Sequence, residues 1–163
     1  REGMARPVSR PKQANGQEKP KEDPNLVSQK VLLTWMIDEK KLFSVIRRYI
    51  SPTDFTEKLY QTVAGFLYDQ YDKGELNPAK ILNHFTAEEE HREAASLFHT
   101  RIKKLTTKEE QEQALKETIL RVKSHSIDEQ TLQLEPTDMA GLQHLMEEKR
   151  RLEDLKKLHI SID

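Results

Sequence analysis

Cysteine is absent from the 163-residue chain, and its absence excludes several kinds of chemistry. Without thiols the chain has no disulfide scaffold, no thiolate nucleophile, no iron–sulfur cluster and no zinc site built on cysteine. The absence also fits a reducing compartment, and we therefore expect a cytoplasmic location. Glycine is scarce as well, and the five glycines form none of the motifs GxGxxG, GxxxxGKS/T and GxSxG. The sequence thus offers no phosphate-binding loop and no nucleophile elbow.

An excess of charge of either sign is also missing, because 27 Lys and Arg are matched by 28 Asp and Glu. A formal net charge of -1 lacks the positive field that non-specific nucleic-acid binding needs. Long hydrophobic runs are missing too, since the longest, residues 31–37, is far shorter than the ~20 residues that span a bilayer. The N-terminus has no apolar signal core. We therefore expect no membrane partner and no dedicated nucleic-acid clamp.

Catalytic and metal-binding side chains form no recognisable group in this sequence. No two of the six histidines have the i, i+4 spacing of a helical metal site, and HExxH does not occur. The run Glu88–Glu90 provides carboxylates, but three consecutive acids splay around a helix and suit its electropositive N-terminus better than acid–base catalysis. We therefore predict no catalytic residue, no metal site and no cofactor, and we expect that this chain alone is not an enzyme.

Residues 1–23 have the composition of a linker. They are rich in proline and contain two glycines, and their apolar residues are Met4, Ala5, Val8 and Ala14. Such a segment cannot bury enough apolar surface to offset an ordering entropy of roughly 1–2 kcal/mol per residue. Because the chain begins with an arginine and not with methionine, we expect it to be cut from a longer protein. The prediction is a flexible linker from an upstream domain.

Helix-start signals recur after this segment. Some are an acceptor side chain before proline at the first helical position, and others are capping boxes. The strong signals stand at Asp23, Ser51, Asn77, Thr86 and Thr107. Weaker ones stand at Asp38 and at Thr137 or Asp138. The sequence therefore predicts about seven helices.

Apolar residues recur at spacings of three and four, as in helices that bury one face. A clear example is the series Phe55, Leu59, Val63 and Phe66. Trp35 stands among apolar neighbours and is predicted to lie in the core. No window alternates apolar and polar residues in the manner of a strand, and no hairpin turn separates apolar runs. The predicted fold class is all-α.

Composition divides the helical part near residue 107. Residues 24–106 contain several apolar helix faces that can pack against one another, and they are predicted to form a bundle of about five to six helices. Residues 107–133 lack Pro and Gly, and one helix there would be about 40 Å long and should protrude from a small bundle. Residues 124–126 have low helical propensity and allow a bend. Residues 107–163 are therefore predicted to form a long helix and a C-terminal helical hairpin.

The predicted hairpin carries more apolar residues than one seam between two helices needs. The seam is assigned to Leu142, Leu145, Leu152 and Leu155, whereas Met139 lies off it. Apolar surface on a charge-flanked hairpin marks a protein interface, and methionine suits a surface that adapts to its partner. The predicted partner-binding residues are Met146, Lys149, Leu155, Leu158, Ile160 and Ile162. The basic clusters are balanced by acids on their helices and are predicted to be solvated faces; they are Arg47–Arg48, Lys103–Lys104 and Lys149–Arg151.

The order of these elements resembles the C-terminal, helicase-binding domain of bacterial DNA primase. The resemblance covers about residues 24–163. It rests on the segment LVSQKVLLTWMIDEKKLFSVIRRYISPTDFTEKLYQTVAGFLYDQYDKGELNPAKILNHF, followed by an acidic-capped fifth helix, a long polar helix and a leucine-rich terminal helix. It implies a parent enzyme that makes RNA primers, with zinc-binding and polymerase domains upstream of Arg1. The present chain would dock that enzyme onto the hexameric replicative DNA helicase and modulate it.

Three alternatives remain open at the level of the sequence, and one of them is a generic helical scaffold with no helicase partner. The N-terminal, primase-binding domain of a replicative helicase has a similar bundle, but a linker and an ATPase domain follow it, whereas here the linker comes first. A helical nucleic-acid-binding module is the alternative from another class, and it requires strong, salt-dependent affinity for single strands. Under the primase interpretation, nucleic acid is contacted mainly by the upstream domains.

Overall fold

Every regular element is helical in residues 22–100 and 107–162, the ranges that the computed structural model describes. The α-helices are α1 (Pro24–Asp38), α2 (Lys40–Ile46), α3 (Lys58–Asp72), α4 (Pro78–His84), α5 (Glu88–His99), α6 (Lys108–Gln133) and α7 (Met139–Lys157), with a 3-10 turn at Pro52–Asp54. The all-α prediction is confirmed for this part of the chain. The predicted linker falls almost wholly outside the described residues, as does the basic pair Lys103–Lys104.

Four helices begin where the sequence predicts, each with a side-chain acceptor at its N-cap. That acceptor binds a backbone N–H two or three residues further on, which satisfies a donor that the helix leaves free. The capping residues are Asp23 for α1, Asn77 for α4, Thr107 for α6 and Asp138 for α7. At α6 the capping box is complete, because the Glu110 carboxylate also accepts the Thr107 N–H at 3.2 Å.

Three other starts differ from the prediction. The segment from Ser51 forms only the 3-10 turn, and α3 begins later, at Lys58. The carboxamide oxygen of Gln29, in α1, accepts the Thr56 N–H at 3.1 Å just before α3. Helix α5 begins at Glu88 without a side-chain cap, and α2 begins at Lys40 rather than at Asp38. Helix α3 therefore lacks a side-chain cap, and a distant side chain binds the segment that leads into it.

Helix α1 lies at the centre of the core. Its residues Leu32, Leu33 and Met36 are fully buried, and it packs against α2, α3, α5 and α6. Such all-round contact explains why α1 lacks a clear polar face. Trp35 was predicted to lie in the core, but it is only partly buried and packs against this core.

Helix α6 is continuous over 26 residues and about 39 Å, with no interruption at residues 124–126. Leu115, Ile119 and Val122 are buried in the same core as α1. The expectation that this helix protrudes is therefore wrong for its first two thirds, because a narrow stripe at spacings of three and four is enough to pack one face on α1. After Ile127, the residues up to Gln133 are half-buried or exposed.

Helix α7 packs against α6 and runs antiparallel to it. Lys123 of α6 pairs with Glu148 at 2.7 Å, whereas Lys116, earlier in α6, donates to the carbonyl of Lys156, later in α7, at 2.8 Å. Leu145 and Leu155 are the buried residues of α7. None of the helices in the described ranges is both long enough and apolar enough to cross a bilayer.

Candidate protein interface

The six predicted partner-binding residues separate into an exposed and a buried group. Met146 and Leu158 are 62% and 53% exposed, and Lys149 is also exposed. Leu155, Ile160 and Ile162 are only 3%, 3% and 8% exposed and belong to the hydrophobic core. The expectation that these three residues are available to a partner is therefore wrong.

The chain end after α7 explains this burial. In an extended segment, residues two apart point to the same side, so that Ile160 and Ile162 both enter the core. The Glu112 carboxylate, 4% exposed, accepts the Ile162 N–H at 2.9 Å and lies 3.0 Å from the His159 imidazole. Lys116 donates to the Leu158 carbonyl. The segment 158–162 therefore fastens α7 to the start of α6, a role that its sequence did not indicate.

Exposed apolar side chains are concentrated at α6 and α7. Of the six large hydrophobic residues that are exposed in the described ranges, only Val27 lies elsewhere; the others are Leu132, Met139, Leu142, Met146 and Leu158. Residues 139, 142 and 146 have the spacing that places side chains on one face of a helix. We call these three residues the α7 stripe. Leu142 was predicted to lie in the seam with α6, but it is 41% exposed.

Two cations follow the α7 stripe by one helical turn. Lys149 and Arg150 stand three and four residues after Met146, and both are exposed. Neither forms an ion pair with any residue in the described ranges. The neighbouring cation Arg151, in contrast, pairs with Glu148 at 3.2 Å. Arg150 was not among the predicted site residues, although its spacing from Met146 was visible in the sequence.

A buried chain of charges connects the 3-10 turn, α6 and α7. The Lys123 ammonium lies 3.0 Å from Asp54 and 2.7 Å from Glu148, and these three side chains are at most 14% exposed. Ser126 donates to Asp54 at 2.7 Å. Burial opposes the charged form of Glu148, but the bonds from Lys123 and Arg151 outweigh it and lower the pKa of this carboxyl. This chain of charges helps to hold α7 in place against α6 and the 3-10 turn.

Other candidate sites offer little chemistry. One shallow cleft of about 560 Å³ lies at the start of α5, beside Phe85, His91 and Arg92. Another, of about 280 Å³, lies beside Asp138 and His144 near the α6–α7 turn. Within the described ranges no group of three or more His, Asp and Glu side chains could hold a metal ion. Glu88–Glu90 occupy the first turn of α5, as expected for acids at a helix N-terminus.

The exposed residues of α7 are therefore the site that the geometry distinguishes. Comparisons of the chain with protein-family models, with curated proteins and with solved structures found no match, so that the assignment of a function depends on this site and on the sequence.

Proposed function

We propose that this chain is the helicase-binding domain of a bacterial DNA primase and docks the primer-synthesising enzyme onto the hexameric replicative DNA helicase. The observation that carries the proposal is the α7 stripe, whose three apolar side chains lie outside the core on a helix flanked by charge. Apolar side chains held in this way serve as anchors at protein interfaces. The all-helical fold is consistent with the resemblance in the sequence.

In the proposed mechanism, docking raises the effective concentration of the polymerase domain at the template. A bound primase keeps its polymerase domain near newly exposed template. A flexible linker at residues 1–23 lets that domain move along the template. The chain itself catalyses nothing and needs no cofactor, and its partner is a cytoplasmic protein. In the same proposal the helices before α6 modulate the helicase, and α6 and α7 provide the affinity.

The test is binding of the 163-residue chain to the replicative helicase of the same organism. The double variant Met139→Ser/Met146→Ser should weaken binding at least about tenfold, because truncating one interface anchor typically costs more than about 1 kcal/mol and 1.4 kcal/mol is tenfold in affinity. Val27→Ser removes an exposed apolar side chain of α1 and is the matched control. It should leave the affinity within about twofold of the wild type.

Absence of binding by the wild-type chain contradicts the proposal. Equal affinity of the wild type and the double variant shows that the α7 stripe is not the anchor. Binding to primase instead of helicase identifies the chain as the corresponding helicase domain. Strong, salt-dependent binding to single strands without helicase binding favours the nucleic-acid module.

A further inference from the structure

The α7 stripe and its two cations form one continuous surface along α7. At 1.5 Å per residue, Met139 and Met146 are about 10 Å apart along the helix axis, and Arg150 lies about 17 Å from Met139. A partner helix of about three turns matches this length when it packs along α7. The surface is therefore apolar at the start of α7 and carries two adjacent cations towards its middle.

The two cations differ from Arg151 and Lys156 on the same helix. Arg151 pairs with Glu148, and Lys156 pairs with Glu153 at 3.2 Å, whereas Lys149 and Arg150 have no ionic partner in the described ranges. Exposed cations beside an apolar stripe favour a partner that brings acidic groups to the same place, since complementary charge fixes register and speeds association.

We infer that the α7 stripe, with Lys149 and Arg150, binds an amphipathic helix whose apolar face is flanked by acidic residues at one end. This inference rests on the proposed function and adds the chemistry of the surface that the helicase presents. The partner helix lays its apolar residues on Met139, Leu142 and Met146 and places its carboxylates over the two cations. Methionines suit such a contact because their side chains adapt to the partner.

Two other classes of ligand fit this surface less well. Single-stranded nucleic acid needs aromatic side chains on which bases stack, and the α7 stripe contains none. An interfacial membrane helix carries Trp, Phe and Leu on its apolar face, whereas the α7 stripe contains two methionines and one leucine and neither Trp nor Phe. A partner helix that has an apolar face and acidic residues at one end matches both the α7 stripe and the two cations.

The experiment compares two charge-reversal variants of the full 163-residue chain in binding to the replicative helicase hexamer. The test variant is Lys149→Glu/Arg150→Glu. The matched control is Lys40→Glu/Lys41→Glu, which changes the net charge by the same amount at two adjacent, exposed lysines of α2 that have no ionic partner in the described ranges. Both variants should keep the circular-dichroism signal and melting midpoint of the wild type, because all four side chains are exposed.

We expect the test variant to bind at least about tenfold more weakly than the control at low salt. The difference should shrink when the ionic strength approaches about 1 M, where the screening length is about 3 Å. An anisotropy titration of labelled chain with helicase at several salt concentrations measures both effects.

Each contrary outcome has a distinct meaning. Tight binding by the wild type together with equal affinities of the two variants overturns the inference and leaves the proposed function standing. No binding by the wild type overturns both. Loss of a concentration-dependent dimer in the test variant, seen by sedimentation, identifies a second copy as the occupant and overturns the inference. Specific loss of binding to anionic vesicles or to single strands, without an effect on helicase binding, also overturns it.

Discussion

At the scale of single residues, Glu148 is the point where charges from three elements meet. Its carboxylate binds Lys123, which also binds the buried Asp54 of the 3-10 turn, and it binds Arg151 on its own helix. Removing one member of a buried ion pair leaves a charge without compensation, which is far more destabilising than removing an exposed pair. Glu148 therefore helps to hold α7 in the orientation that exposes its stripe.

The lowered pKa of Glu148 makes part of the folding stability dependent on pH. Because its pKa in the folded chain lies below the ordinary value of 4.5, the ionised carboxylate stabilises the fold above about pH 4.5, and this contribution is lost as the pH falls through the folded pKa. Glu148→Gln should therefore lower the free energy of unfolding at about pH 7, and its difference from the wild type should shrink towards about pH 3.

Urea unfolding at a series of pH values measures this difference. Glu147→Gln is the matched control, since Glu147 is exposed and has no ionic partner in the described ranges. That variant should follow the wild-type curve. A Glu148→Gln variant that differs from the wild type by the same amount at every pH would show that its effect does not come from the titration of this carboxyl.

Residue-scale prediction from the sequence succeeded for local partners and failed for distant ones. Thr107 and Glu110 stand three residues apart, so that their capping box was visible in the sequence and is present. The carboxylate of Glu112 binds Ile162, which is fifty residues away, and the amide of Gln29 binds Thr56. No local pattern identifies such partners, because the fold brings them together.

At the scale of elements, the chain end after α7 behaves as a fastening segment and not as a contact surface. Ile160 and Leu158 are two residues apart, but Ile160 is 3% exposed and Leu158 is 53% exposed. Leu158 stands at the C-terminal end of α7, before the extended segment, so its side chain does not follow the alternation that buries Ile160 and Ile162. A hydrophobic count of the sequence cannot separate Leu158 from Ile160. Which of the two residues is buried depends on the position of α6, and the local sequence does not show that position.

This contrast predicts that two serine substitutions differ strongly in their effect on stability. Ile160→Ser should lower the free energy of unfolding by at least about 2 kcal/mol, because a buried isoleucine truncated to a small residue leaves a cavity. Leu158→Ser, the matched change at an exposed position, should leave stability within about 0.5 kcal/mol of the wild type. Urea unfolding monitored by circular dichroism distinguishes them. Similar stability losses in both variants would contradict the described position of residues 158–162.

At the scale of the whole molecule, α6 joins the two parts that the composition had separated. The sequence showed a change near residue 107, where the helices become more polar, and this change favoured an independent bundle over residues 24–106. In the structure, Leu115, Ile119 and Val122 are at most 1% exposed and share one core with α1. A few apolar residues at helical spacing are enough for this packing, and composition averages do not detect them.

A chain that ends at Thr106 should therefore not fold stably, and it should show no cooperative unfolding transition. Fully burying each of the three α6 side chains contributes about 1.5–3 kcal/mol. Losing all three removes an amount comparable with the ~5–15 kcal/mol by which domains of this kind are stable. A chain that lacks residues 1–21 is the matched control, because their apolar content is too low to support a core, and its melting midpoint should equal that of the full chain. Thermal and urea unfolding of both truncations decide the question. A sharp transition of the chain ending at Thr106, at the midpoint of the full chain, would show that the bundle is independent of α6 and that the core is divided as the composition first indicated.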